Sequence, residues 1–192
     1  MKKIKLKDLV MMALMLAFMV VASKISIPIG VIPLTLQTFA VFIISLVLGK
    51  KSCIIFILYL LIGLTGLPVF STGGGIEYIY MPSFGFIIGF IPASFFIGIS
   101  SNKEKFYIKY ILSIIGLLII NVFGVAYMYF IFKYHMGAEK DIIYILNVGV
   151  VPFIAKDIFT AILSCIIYSR IRVLINKEAN QNVIFEEQEV LK

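Results

Sequence analysis

Apolar runs follow one another along almost the whole chain, with only short polar turns between some of them, and no other feature of the sequence constrains the fold as much. They cover Leu9–Ser23, Leu36–Gly49, Cys53–Gly66, Phe84–Ile99, Phe106–Phe132 and Pro152–Ile171. An ordinary soluble domain is roughly 45–50% apolar and about 25% charged. Here 61% of 192 residues are hydrophobic and 14% are charged. A soluble fold of this length cannot hide so much Ile, Leu, Phe and Val, so lipid must solvate much of the surface. The expectation is an all-α integral membrane protein. Six transmembrane helices form one bundle over residues 1–175, and a polar, solvated tail follows at 176–192. A full span needs about 20 residues, and the first four runs are shorter. The stretches Ile25–Leu34 and Leu67–Met81 are themselves largely apolar. They are expected to dip to membrane depth, where non-helical backbone is tolerated only against protein or a wet cavity.

The chain starts Met1-Lys-Lys-Ile-Lys-Leu-Lys7 before its first apolar run, a pattern shared with signal peptides. No small-residue cleavage site follows, and Ser23-Lys24 leads into more apolar chain, so this run reads as the first membrane helix. Lysine and arginine orient the bundle. Lys2, Lys3, Lys5, Lys7, Lys50, Lys51, Lys103, Lys105, Lys109, Arg170, Arg172, Lys177 and Lys192 fall on one side. Lys24, Lys133, Lys140 and Lys156 fall on the other. The positive-inside bias then places both termini in the cytoplasm. This distribution accounts for the net charge of +7 without any nucleic-acid partner. The outer connections Lys24–Leu34, Leu67–Met81 and Lys133–Val151 are long and rich in Gly, Pro and aromatic residues, as functional loops tend to be.

Polar groups gather at the outer ends of the spans. Thr35, Gln37 and Thr38 open the second, Ser83 opens the fourth, and Lys156 and Asp157 lie about one turn into the sixth. Asp157 stands out, because an intramembrane carboxylate is costly unless paired or hydrated and usually marks function. An internal ion pair with Lys156 or Lys24 is the plainer alternative. Lys156 and Thr160 are four apart and share a helix face. Gly73, Gly74 and Gly75 suggest a mobile lid over the pocket, with Glu77 and Tyr78 near its tip, where simple solvent exposure is as plausible. Ala13 and Ala17, four apart on the first span, are a small-residue pair that lets another helix approach closely. His135 lacks ligand companions. Cys53 and Cys165 lie in apolar stretches and read as small buried hydrophobes. The sequence contains no catalytic constellation, metal-ligand spacing or Walker loop, so neither an enzyme nor an ATP-driven motor is expected in this chain.

Four segments carry a resemblance: Ile32-Pro-Leu-Thr-Leu-Gln-Thr-Phe-Ala40, Leu58-Tyr-Leu-Leu-Ile-Gly-Leu-Thr-Gly-Leu-Pro-Val-Phe70, Pro82-Ser-Phe-Gly-Phe-Ile-Ile-Gly-Phe90 and Gly149-Val-Val-Pro-Phe-Ile-Ala-Lys-Asp157. In this order and spacing they resemble the BioY family, the biotin-specific S components of energy-coupling-factor (ECF) transporters, over about Leu9 to Arg172. The resemblance implies a six-helix, multi-pass protein of the prokaryotic cytoplasmic membrane that binds biotin from outside. It also implies docking through Ala13 and Ala17 on a transmembrane coupling subunit that carries two ATPase subunits. ATP would then be used by those partners, and this chain would carry no cofactor. Two motifs depart from the family. Its last motif usually reads Pro-Phe-x-x-Gly-Asp-x-x-Lys, where this chain has Lys156 for the Gly and Thr160 for the Lys. Its fourth-span motif usually reads Gly-Pro-Thr-Gly-Gly-Tyr, where this chain has Met81-Pro-Ser-Phe-Gly-Phe86.

Biotin's chemistry suits these residues. Its ureido N–H groups want an acceptor such as Asp157, and its fused ring wants aromatic walls such as Tyr59, Phe70, Phe84 and Phe86. Its valerate carboxylate wants a cation, for which Lys156 stands in place of the missing family lysine. The alternatives are an S component for another small vitamin, and a solitary biotin facilitator.

Overall fold

The computed structural model describes residues 6–190, with side chains described through Val173. Lys2, Lys3 and Lys5 therefore lie outside the described residues, as do the side chains of the polar tail. The elements run in order α1 (Leu6–Lys24), a hairpin of β1 (Ser26–Ile27) and β2 (Leu34–Thr35), α2 (Gln37–Leu48), α3 (Ser52–Leu64), α4 (Phe84–Ile99), α5 (Phe106–Phe130), α6 (Ile142–Gly149) and α7 (Val151–Val190). Helices begin and end within a few residues of the apolar runs, apart from the C-terminal end of α7. Beyond the last run, α7 continues as backbone helix to Val190, so the tail starts as an extension of α7.

Helical stretches Leu6–Lys24, Gln37–Leu64, Phe106–His135 and Val151–Val173 are long and apolar enough to cross a membrane, while Phe84–Ile99 is shorter. The second stretch is not one rod. As a continuous helix, Gln37 and Tyr59 would stand about 33 Å apart. Instead Gln37 Nε2 donates to the Tyr59 hydroxyl at 2.9 Å. The chain must therefore fold back between α2 and α3. It does so at Gly49, whose φ of 61° is a left-handed conformation that a side chain would strain, followed by a single 3-10 turn at Gly49–Lys51. The reversal turn is clamped by α4, where a Cβ on Gly98 would come within 2.5 to 2.8 Å of the Gly49 and Lys50 backbone.

The core forms around α2, α3 and α4, where Phe42, Ile44, Phe56, Tyr59, Phe90 and Ile97 are buried. Helices α4 and α5 meet closely because Gly85 leaves room for the Tyr127 side chain and the Phe123 carbonyl, and Gly124 for the Phe86 ring. Leu14, Val122 and Phe159 are more than half exposed on the outer faces, where lipid would cover them.

Two of the connections expected to lie outside differ from simple loops. The one from Lys133 to Val151 contains α6, entered through a π-helical turn at Ile131–His135. The one from Leu67 to Met81 closes with a 3-10 turn at Ile76–Tyr80. At the opposite end of the bundle, Lys109 is buried, donates to Ser169 Oγ at 3.2 Å and lies over the Tyr168 ring.

Candidate functional site

Helix α2 starts directly after the β1–β2 hairpin, and α7 directly after α6, so both present their first turns to the same end of the bundle. There Lys156 and Asp157 meet Thr35 and Thr38. Lys156 Nζ pairs with Asp157 Oδ1 at 2.7 Å. It also donates to the Thr35 carbonyl at 2.8 Å and to Thr38 Oγ1 at 2.9 Å. Thr38 Oγ1 in turn donates to Asp157 Oδ1. Asp157 is 5% exposed. A carboxylate so deep needs a partner, and four groups from three elements, β2, α2 and α7, supply a closed polar knot. Of the two cations weighed as partners, Lys156 makes the pair; Lys24 donates instead to the Phe70 carbonyl at 2.6 Å. Asp157 Oδ2 has no hydrogen-bond partner among the described residues.

Beside the knot lies a cavity of about 60 Å³. Thr35, Gln37, Thr38, Lys156 and Asp157 form its polar side, and Tyr78, Phe86, Phe90 and Phe153 its aromatic side, with Ser71, Ser83 and Asn121 at the edges. Gln37 is held from both directions: its backbone N–H and its side-chain carbonyl both meet Thr35 Oγ1, and its amide donates to Tyr59. Tyr59 passes the bond on, donating to the Val69 carbonyl at 3.0 Å. Ser23 Oγ donates to that same carbonyl at 2.6 Å. This relay ties the cavity floor to α1 and to the loop after α3.

The expected site residues thus divide. Thr35, Gln37, Ser83, Phe86, Lys156 and Asp157 share the cavity. Tyr59, Phe70 and Thr160 do not line it. Tyr59 stands behind Gln37 as a positioning group. Phe70 is fully buried in an aromatic cluster with Tyr59, Tyr78 and Phe84, its ring filling the space over Gly63. Phe84, expected as a ring wall, belongs to that cluster as well. Thr160 donates to its own helix, to the Asp157 carbonyl at 3.1 Å, as hydroxyls in apolar helices often do.

Of the three glycines expected as a mobile lid, Gly74 is closely packed, while Gly73 and Gly75 take φ of 142° and 108° with open space around them. Phe70 N–H bonds to the Gly73 carbonyl at 2.9 Å and Gly75 N–H to the Gly63 carbonyl at 2.7 Å. A Cβ on Gly74 would fall on the Leu67 carbonyl oxygen. Tyr78, read as solvent-exposed or near a lid tip, is buried against Phe70 and lines the cavity, whereas Glu77 is exposed. Ala13 and Ala17 are exposed on α1. His135 stacks on Tyr80. Among the described residues no group of three or more His, Cys, Asp or Glu side chains is placed to hold a metal ion.

Sequence reasoning separated Lys156 and Asp157 into two subsites, one for each end of a ligand. The structure places them 2.7 Å apart as an ion pair. Asn121 and Phe153 were passed over. Asn121 did carry a signal, as an amide stranded midway along the apolar α5, where it donates to the Leu117 carbonyl at 3.0 Å. Phe153 carried one as well, as the Phe of the Pro-Phe-x-x-Gly-Asp-x-x-Lys motif.

Residues 1–177 match the model of the BioY family. The chain is 36% identical over 170 residues to the probable biotin transporter BioY of Lysinibacillus sphaericus, covering 85% of this chain and 86% of that protein. It is 35% identical over 172 residues to the biotin transporter BioY of Thermotoga maritima, covering 88% and 98%. Among solved structures, the crystal structure of the S-component for biotin from an ECF-type ABC transporter superposes with a TM-score of 0.75 at 27% identity, covering 86% of this chain and 90% of that one.

Proposed function

The chain belongs to the BioY family, and from that premise we propose that it captures biotin outside the cell as the substrate-binding S component of an ECF transporter in the cytoplasmic membrane. The observation that carries this reading is the Lys156–Asp157 pair set into an aromatic-walled cavity at one end of the bundle. A biotin ureido group offers N–H donors next to a carbonyl acceptor. Asp157 Oδ2 accepts from an N–H, and Lys156 with Thr38 supplies donors for the carbonyl. The charges agree as well. The ion pair is neutral and so is the ureido ring, whereas a carboxylate in the same place would leave a net negative charge in a half-desolvated wall. The valerate carboxylate accordingly points to the cavity mouth. Phe86, Phe90 and Phe153 then face the fused ring.

Ligand series test this orientation. Radiolabelled biotin should bind the purified protein in preference to riboflavin and thiamine. Esterifying the valerate should change affinity by only a few-fold. Methylating a ureido nitrogen should weaken it about 100-fold, since a buried carboxylate then loses its donor. The opposite pattern would return Lys156 to the carboxylate, and tight binding of another vitamin with none for biotin would overturn the whole reading.

Ligand pockets usually enclose about 300–1,000 Å³, so a cavity of about 60 Å³ must widen to admit biotin. The wall with least support is the β1–β2 hairpin, held by two residue pairs, with Pro28 to Val31 exposed at its turn. Its displacement would open the cavity on the side of Thr35.

Six membrane spans with both ends in the cytoplasm complete the proposal. The fold-back of α2 on α3 supports the count, and the lysine distribution supports the orientation. Coupling to a transmembrane subunit and two ATPases would run through the exposed Ala13–Ala17 face of α1. Ala13→Trp with Ala17→Trp should leave biotin binding within about twofold while abolishing co-purification with those subunits, because the bulk blocks close helix approach. Biotin uptake by cells that lack the coupling subunits would instead point to a solitary facilitator.

A further inference from the structure

An apolar groove of about 1140 Å³ runs along α5 between α6 and α7 and shares Asn121 with the cavity beside the polar knot. The α5 side of it extends from Tyr110 to Tyr129, about 28 Å at the helical rise and close to the hydrocarbon thickness of a bilayer. Leu146 and Ile154 close the other side. At the Tyr129 end the groove opens into a charged hollow of about 560 Å³, walled by Lys133, Glu139, Lys140 and Asp141. Tyr129 and Ile142 line both spaces, so groove and hollow are continuous.

The four charges do not neutralise one another. Among the described residues the ion pairs are Lys51–Asp8 and Lys156–Asp157. Lys133 instead lies 5.7 Å from the Tyr129 ring centroid and Lys140 lies 4.9 Å from that of Tyr144. Tyrosine beside lysine is the usual marker of the headgroup level. The site thus presents an apolar track, longer than one acyl chain, that ends beside two cations and two carboxylates. All four side chains are exposed and free to meet a ligand, and a packed apolar helix would use the track but make no use of them. An amphiphile with both signs of charge in its head satisfies every part.

We infer that this is a binding site for a phospholipid whose headgroup carries a primary ammonium. One acyl chain lies along α5, the phosphate meets Lys133 and Lys140, and the ammonium donates to Glu139 and Asp141. Charge-assisted hydrogen bonds favour an ammonium with N–H donors over a trimethylated one. The assignment is independent of the transport reading, because none of these four side chains lines the cavity.

The full-length protein, reconstituted with equal amounts of phosphatidylethanolamine, phosphatidylcholine, phosphatidylglycerol and diacylglycerol of matched chains, is re-extracted and its retained lipid counted by native mass spectrometry. One phosphatidylethanolamine per chain is expected, enriched at least about fivefold over each competitor. Lys133→Gln with Lys140→Gln should remove the enrichment. Ala126→Phe, which fills the groove and leaves the head site alone, should lower retention of every diacyl lipid. Retained biotin binding by each variant certifies its fold. Retention in the proportions supplied, preference for phosphatidylglycerol, or enrichment unchanged in the double variant would each overturn the assignment.

Discussion

Asp157→Asn should lower biotin affinity at least 100-fold while leaving the helical bundle intact. The carboxylate holds Lys156 at 2.7 Å, accepts from Thr38 and lines the cavity. An amide keeps the size but loses the charge. It presents N–H donors where the ligand also donates, and it leaves Lys156 beside a neutral group. Breaking a buried pair by removing one partner costs about 3–5 kcal/mol. The Lys156 side chain is 20% exposed, so water recovers part of that loss. That cost falls on the fold; the loss in binding comes from the ureido N–H that no longer meets a charged acceptor, about 3 kcal/mol or 100-fold. Isothermal titration on the detergent-solubilised protein measures it. Thr160→Val is the companion variant. Its hydroxyl serves the Asp157 carbonyl outside the cavity, so affinity should stay within about threefold although Thr160 occupies the position of the family lysine. Near-normal binding by Asp157→Asn, or a loss in Thr160→Val as large as in Asp157→Asn, would relocate the ligand.

Gly85→Val should produce the largest loss of stability. A Cβ there would overlap the Tyr127 side chain and stand 2.8 Å from the Phe123 carbonyl. Both neighbours are part of α5, so the obstruction includes backbone and cannot be relieved by one rotamer change. Helices α4 and α5 must separate, which disturbs the Phe86 ring fitted against Gly124 and so the aromatic wall of the cavity. Overpacking alone costs about 1–3 kcal/mol. Loosening the cavity wall adds to it, and for a chain of this size a total of about 3 kcal/mol lowers the melting temperature by roughly 6–12 °C. Thermal unfolding in detergent measures the shift. Gly66→Ala is the control for substituting glycine in itself: its φ of 102° carries strain, but nothing lies within 4 Å of its Cβ. A loss at Gly85 no larger than at Gly66 would mean that the α4–α5 contact is not tight.

The class of protein and its helices were legible in the sequence, because hydrophobicity and turn chemistry are local. A run such as Phe84–Ile99 is apolar whatever surrounds it, and it forms a helix with those same bounds. Asp157 was legible for the same reason, since a carboxylate within an apolar run needs no neighbour to look costly. The limits of the apolar runs put Thr35, Gln37 and Ser83 at the ends of their spans, and the structure gathers them with Phe86 around one cavity.

What each side chain does there was decided only by distance. Thr38 lies 119 residues from Asp157 in sequence, and only the docking of α2 on α7 brings them into hydrogen-bonding contact. Tyr59 and Phe70 have the right chemistry for a ligand wall, but the fold turns both inward, one to orient Gln37 and the other to fill the space over Gly63. The glycine triplet read as freedom, yet a residue without a side chain also permits the closest contacts, and Gly74 uses that property. Sequence alone determined that this chain is helical and needs lipid, and that one carboxylate sits deep near one end. Tertiary structure decided that Lys156 and Asp157 stand as a pair 2.7 Å apart, because a lysine side chain is long enough to reach several partners and only the positions of Thr35 and Thr38 hold it beside its neighbour.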